Sequence, residues 1–171
     1  MTARLRALLP TLAVVLVVAG AAAESLEEAQ RRGALGRPVI DGLALAGIRL
    51  GWDEITVRSL FGAPAAVQAS ALGDRRLDWT PLPGVHLEVH VRAGRVVAAG
   101  LRVVGPEIAL ASPRTVRGIG LADPVVLVRE RYGAPASGRL WFTEAGIAFN
   151  EAIDGDEVQA ILVFVPGTPP P

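Results

Sequence analysis

The chain contains no cysteine and no lysine, one methionine and only two histidines among its 171 residues. The lack of cysteine excludes disulfides, thiolate-bound zinc, thiol nucleophiles and cysteine-linked lipid anchors. An exported chain of this kind has to stand on packing alone. All 17 basic residues are arginine, and they balance 17 acids. Without Arg4 and Arg6, which fall in the leader described below, 15 arginines face 17 acids, a balance of −2. That is no electrostatic footprint for nucleic acid. An all-arginine basic set reads as coding bias rather than as a phosphate-binding surface. Ser59, Ser70, Ser112 and Ser137 have no nucleophile elbow around them, and no glycine-rich phosphate loop is present. No catalytic residue and no cofactor are therefore assigned, and the chain is not read as an enzyme.

Apolar residues make up 51% of the chain and charged residues 20%, enough to bury a sizeable core. Residues 1–23 have the three parts of an export signal. Arg4 and Arg6 form a positive start, the run from Leu12 to Val18 is wholly apolar, and Ala21, Ala22 and Ala23 supply a cleavage site. The apolar stretch from Leu8 to Ala23 contains Pro10 and falls short of the ~20 residues of a spanning helix. The expectation is cleavage before Glu24 and a periplasmic or secreted protein that does not span the membrane. Ser25 and Glu28 then have capping-box spacing for a short helix in an N-terminal arm, residues 24–43.

One stretch occurs twice. Residues 47–64 read GIRLGWDEITVRSLFGAP, and residues 118–135 read GIGLADPVVLVRERYGAP. Gly47, Ile48, Leu50, Val57, Arg58, Gly62, Ala63 and Pro64 recur 71 residues later, and Phe61 is matched by Tyr132. Asp53 stands where a helix cap belongs, Val57 and Phe61 share a helical face, and Gly62 and Pro64 stop the helix. Asp123 is expected to cap the second copy, with Pro124 at its first helical position.

After the first helix the pattern is that of sheet. Residues 75–80 form an expected strand, and residues 85–91 (VHLEVHV) alternate without a break. Ala93 and Gly94 then turn the chain into a third strand. The second copy repeats this plan 62 residues on, with Trp79 matched by Trp141 and Val85 by Ile147. Residues 65–74 are then an extra loop. The sequence thus predicts an α+β fold: two tandem repeats, each a short capped helix followed by a three-stranded antiparallel sheet, joined into one larger sheet with helices on one face. The expected boundaries are 44–105 and 106–166, with a disordered Pro-rich tail at 167–171.

Ile48-x-Leu50-Gly51-x-Asp53, followed by Val57, Phe61, Gly62 and Pro64 and then by strands, resembles the unit of two families. These are the SmpA/OmlA outer-membrane assembly lipoproteins and the secreted beta-lactamase inhibitor proteins, the latter carrying it in tandem. The resemblance covers about residues 44–166. It implies an extracytoplasmic location and a binding role without catalysis. The anchoring cysteine of the lipoproteins and the disulfides of the inhibitors have no counterpart here, so no contact residue carries over.

His86-x-Glu88-x-His90 is the one polar cluster with ligand chemistry. Period-two spacing puts the three on one strand face, opposite Val85, Leu87, Val89 and Val91. Neighbours in the triplet are ~6.6 Å apart and the two histidines ~13 Å, so a metal needs a further ligand, such as Asp78, from an adjacent strand. The other reading is a solvated sheet face with no ligand. The match of Trp79 with Trp141 argues first for core, but strand phase groups Trp79 with Leu77 and Trp141 with Arg139 and leaves their face open. Trp52 has no aromatic counterpart and is a candidate contact. Taken together, the expected function is an exported, non-enzymatic module presenting an open antiparallel sheet face to a protein partner. Its candidate contacts are Trp52, Arg76, Asp78, His86, Glu88, His90 and Arg92. The alternative is a small-ligand or metal-binding module using His86, Glu88 and His90.

Overall fold

The computed structural model describes residues 26–69, 73–104, 113–135, 139–152 and 155–171. The export signal at 1–23, the capping serine Ser25, and Ser70, Ser112 and Ser137 lie outside the described residues. Among the described residues no helix is long and apolar enough to cross a membrane.

Helix α1 (Leu26–Leu35) leads into a two-residue hairpin, β1 (Ala44–Leu45) and β2 (Ile48–Arg49). Helix α2 (Glu54–Phe61) follows, then β3 (Ala66–Ala69), β4 (Arg75–Leu82), β5 (Val85–Arg92) and β6 (Arg95–Val103). The remainder is α3 (Val125–Tyr132), β7 (Trp141–Phe142), a 3₁₀ turn at Thr143–Ala145, β8 (Ile147–Glu151) and β9 (Val158–Phe164). Strands β3 to β9 form one antiparallel sheet in the order β3-β4-β5-β6-β9-β8-β7.

This corrects the expected pair of tandem helix-plus-three-strand units. There is a single seven-stranded sheet and a separate small hairpin, and the two halves are unequal. The first half supplies four strands because residues 66–69, expected within an extra loop, pair with β4 as an edge strand. The second supplies three, and its first strand is only two residues long before the 3₁₀ turn interrupts it. Pairing of β6 with β9 from Ala98 to Arg102 removes the edge at which two independent sheets would have ended.

Both helices flanking the sheet stop at glycine for a backbone reason. Gly62 and Gly133 have φ of 78° and 85°, a region that L side chains rarely adopt, and their N–H groups close onto the carbonyls of Arg58 and Arg129. At the other end the copies diverge. Asp53 caps α2, accepting from the Thr56 N–H at 2.8 Å and the Thr56 hydroxyl at 2.7 Å. Asp123 does not cap α3. The helix begins at Val125 after Pro124, with no side-chain cap. Asp123 instead accepts from the Gly120 N–H at 2.8 Å and from Arg114, so its carboxylate closes the preceding loop.

The main core lies on one side of the sheet. Leu35 of α1, Val57 and Phe61 of α2 and Val128 of α3 pack against the odd-numbered residues Leu87, Val89, Leu101, Phe149 and Ile161. Glu54, buried beside this core, ties α2 to β4 through its ion pair with Arg75 and also pairs with Arg58 one turn along its own helix. Period-two alternation sends the intervening residues to the opposite face. A second, smaller cluster of Ala98, Ala148 and Phe164, with Trp141 and Leu162 against it, forms there, and no helix residue belongs to it.

Candidate functional site

The face away from the helices is ordered in three rungs that run across the strands. The first is Gln68, Arg76, His90, Ala98 and Phe164, joined by successive Cα pairings. The second is Ala66, Asp78, Glu88, Gly100, Leu162, Ala148 and Trp141. The third is His86, Arg102, Ala160 and Asn150. Charge gathers over β4, β5 and β6, and apolar side chains over β9, β8 and β7. The face is therefore polar at one end and apolar at the other.

The charged end is knit together. Arg76 donates from Nε to Asp78 at 2.8 Å and lies 3.6 Å from Glu88. These two carboxylates hold the Arg76 guanidinium above its ordinary pKa. His90 Nε2 is 3.8 Å from the Glu88 carboxylate. The adjoining His90 imidazole, with Arg76 and Arg102, holds the Glu88 carboxyl below its usual range, and partial burial opposes them. At the end of β5, Arg92 pairs with Asp74 through contacts of 2.8 to 3.1 Å, which raises the guanidinium and lowers the acid.

Glu88 leans over a position without a side chain. A Cβ built on Gly100 would lie 2.7 Å from Glu88 Oε1, 2.8 Å from its Cγ and 3.1 Å from Leu162 Cδ1. Glycine inside a strand packs nothing and here permits that close approach. Gly100 and Ala160 floor a hollow of about 340 Å³ walled by Asp78, Glu88, His86, Arg102, Asn150 and Leu162.

Of the residues singled out in the sequence, Arg76, Asp78, His86, Glu88 and His90 share this face. Arg92 stands at its margin with Asp74. Trp52 does not join them: it is half-buried against the main core, and its carbonyl accepts from the Val96 N–H. As for a metal, Arg76 and not a third ligand approaches Glu88 beside His90. Among the described residues no three His, Asp or Glu side chains converge to hold an ion. Arg102, Asn150 and Leu162 were not among the sequence candidates, and the face taken by Trp141 was left open. Their rungs depend on β6 pairing with β9 across a gap of some sixty residues, which no local pattern encodes.

The two matched tryptophans stand on opposite faces. Trp79 is buried in the main core, with its indole N–H donating to the Gly62 carbonyl at 3.1 Å and Phe61 6.4 Å away. Trp141 stands on the open face, half-buried, with the Arg139 guanidinium 4.8 Å over its ring. Its neighbour Phe142 takes the core place, 5.1 Å from Tyr132.

No family model matches the chain, and no curated protein matches it. Two solved structures have a similar backbone. One is a cysteine-rich secretory protein from Staphylococcus aureus, 8% identical, with a TM-score of 0.51, covering 76% of this chain and 49% of that one. The other is an extracellular protein containing an SCP domain from Bacillus anthracis, 13% identical, with a TM-score of 0.46, covering 68% and 44%. The chain thus spans less than half the length of either, and at 8% identity the S. aureus likeness concerns the fold alone.

Proposed function

We propose that this chain is an exported, non-enzymatic binding module that offers the open sheet face to a protein partner in the periplasm or outside the cell. The observation that carries this reading is the segregation of the sheet's two faces. Every described helix packs on one side, while the other holds a charged end and an apolar end, where Ala98, Ala148 and Phe164 are buried and Trp141 and Leu162 are left half-buried. Protein interfaces combine partly exposed aromatic and apolar groups with arginine in this way. The leader at 1–23 supports export. The similar S. aureus structure is that of a cysteine-rich secretory protein, which is compatible with export. A binding role is also what the resemblance to the envelope-assembly and inhibitor families implies.

A photo-crosslinking residue at Thr80, exposed beside the hollow on the open face, tests the proposal against one at Ile55, which is 79% exposed on α2. In the native envelope or culture fluid, the open-face probe is expected to give a discrete adduct that excess unlabelled protein competes away. The Ile55 probe is expected to give none. Equal adducts from both positions, or competition-resistant smears from the Thr80 probe, would refute it.

A further inference from the structure

We propose that the rung of His86, Arg102 and Asn150 receives an acidic side chain from an extended segment of the partner, whose next inward-facing residue is apolar and rests on Leu162. This rests on the reading of the open face as a protein-binding surface and adds to it the chemistry of the partner. Three observations carry it.

The first is which charges are already matched. Asp78 is held by Arg76, and Glu88 lies between Arg76 and His90. Among the described residues, the side chains of His86 and Asn150 make no hydrogen bond or ion pair, and Arg102 acts on Glu88 only through space. The acceptors of the hollow are thus engaged while its donors on one rung are not. The second is the continuation of that rung. Arg102 and Asn150 also line the neighbouring hollow, of about 460 Å³, beside Arg139. The anion found there, Glu151, has Arg129 4.0 Å away. A negative group between Arg102 and Asn150 therefore meets a guanidinium and an amide directly, with a second guanidinium nearby.

The third is shape. Gly100 and Ala160 keep the floor low between the side chains of Arg102, Asn150 and Leu162. Ala160 and Leu162 are two residues apart on β9, and successive inward-facing residues of any extended chain are spaced by the same ~6.7 Å. A segment lying along β9 can set an acid over Ala160 and an apolar side chain over Leu162 at once. A free anion would use only the first of these places.

The probe is a capped, serine-padded hexapeptide with glutamate and leucine two positions apart, titrated into the full chain without its leader and followed by amide NMR. Its glutamine and lysine analogues and succinate serve as comparisons. Shifts of Arg102, Asn150, Ala160 and Leu162 are expected with the glutamate peptide. Affinity should fall about tenfold for the glutamine peptide or for Arg102→Ala, the weight of a charge-assisted contact, and stay unchanged for Arg49→Ala. Equal binding of all three peptides, equal binding by Arg102→Ala, succinate binding as tightly as the peptide, or no binding at all would each overturn the inference. If it falls while the Thr80 crosslink persists, the partner uses the open face by other chemistry. If the crosslink fails as well, the broader reading falls with it.

Discussion

Glu88 lies directly across Gly100, its Oε1 within 2.7 Å of the place a Cβ would occupy. Gly100→Ala therefore displaces the carboxylate. The obstacles are the flexible Glu88 side chain from its Cγ outward and the tip of Leu162, and the strand backbone accepts alanine, so the fold should persist with a loss of about 1 kcal/mol. Once moved away from His90 and Arg76, Glu88 should titrate nearer its ordinary value. Carboxyl NMR titration of the variant checks this; an unmoved, still depressed Glu88 would contradict the placement.

Asp53 and Asp123 each stand just before the helix of their copy, one position out of step with each other, and do different work. Asp53→Ala removes a true helix cap and should cost about 1 kcal/mol. Asp53→Ser should recover most of that loss, since serine caps as well. At Asp123 serine should recover little, because the lost contacts are with Gly120 and Arg114 rather than with a helix end. Denaturant unfolding of the four variants separates the two roles.

Asp41 accepts from the Tyr132 hydroxyl at 2.9 Å, with Arg117 3.7 Å away, and burial pushes its carboxyl above the ordinary value. A raised acid means that the folded state holds its proton more tightly than the unfolded chain does. The contribution of Asp41 to stability should accordingly decline as pH rises from about 3.8 through the raised value. Asp41→Asn keeps an acceptor for Tyr132 and removes the ionisation. Its stability relative to the native chain should be lowest at acid pH and improve as pH rises through that window. Thermal unfolding from pH 3 to 7 reads the difference.

The local grammar of the chain was legible in its sequence. Stop glycines Gly62 and Gly133, the cap at Asp53 and the alternation over β5 mark elements that occur where those signals stand. What local grammar does not carry is how strands from distant segments pair. The small, uncharged residues 65–71 look like loop because nothing in them alternates, yet β4 offers residues 66–69 a free edge. Trp141 was matched to Trp79 by sequence, but a one-residue change of phase sends a side chain to the other face. Phe142 consequently takes the core place. In the candidate site, the residues of β4 and β5 were readable from their own alternation. Arg102, Asn150 and Leu162 join them only through the β6–β9 and β8–β9 pairings.

Charge reversal at Arg102 bears most directly on the role of the open face. The affinities of the glutamate–leucine and lysine–leucine peptides are measured for the native chain and for Arg102→Glu. The native chain should prefer glutamate by about tenfold or more, and the variant should lose that preference and turn toward lysine. The same peptide preference in both proteins would contradict the account.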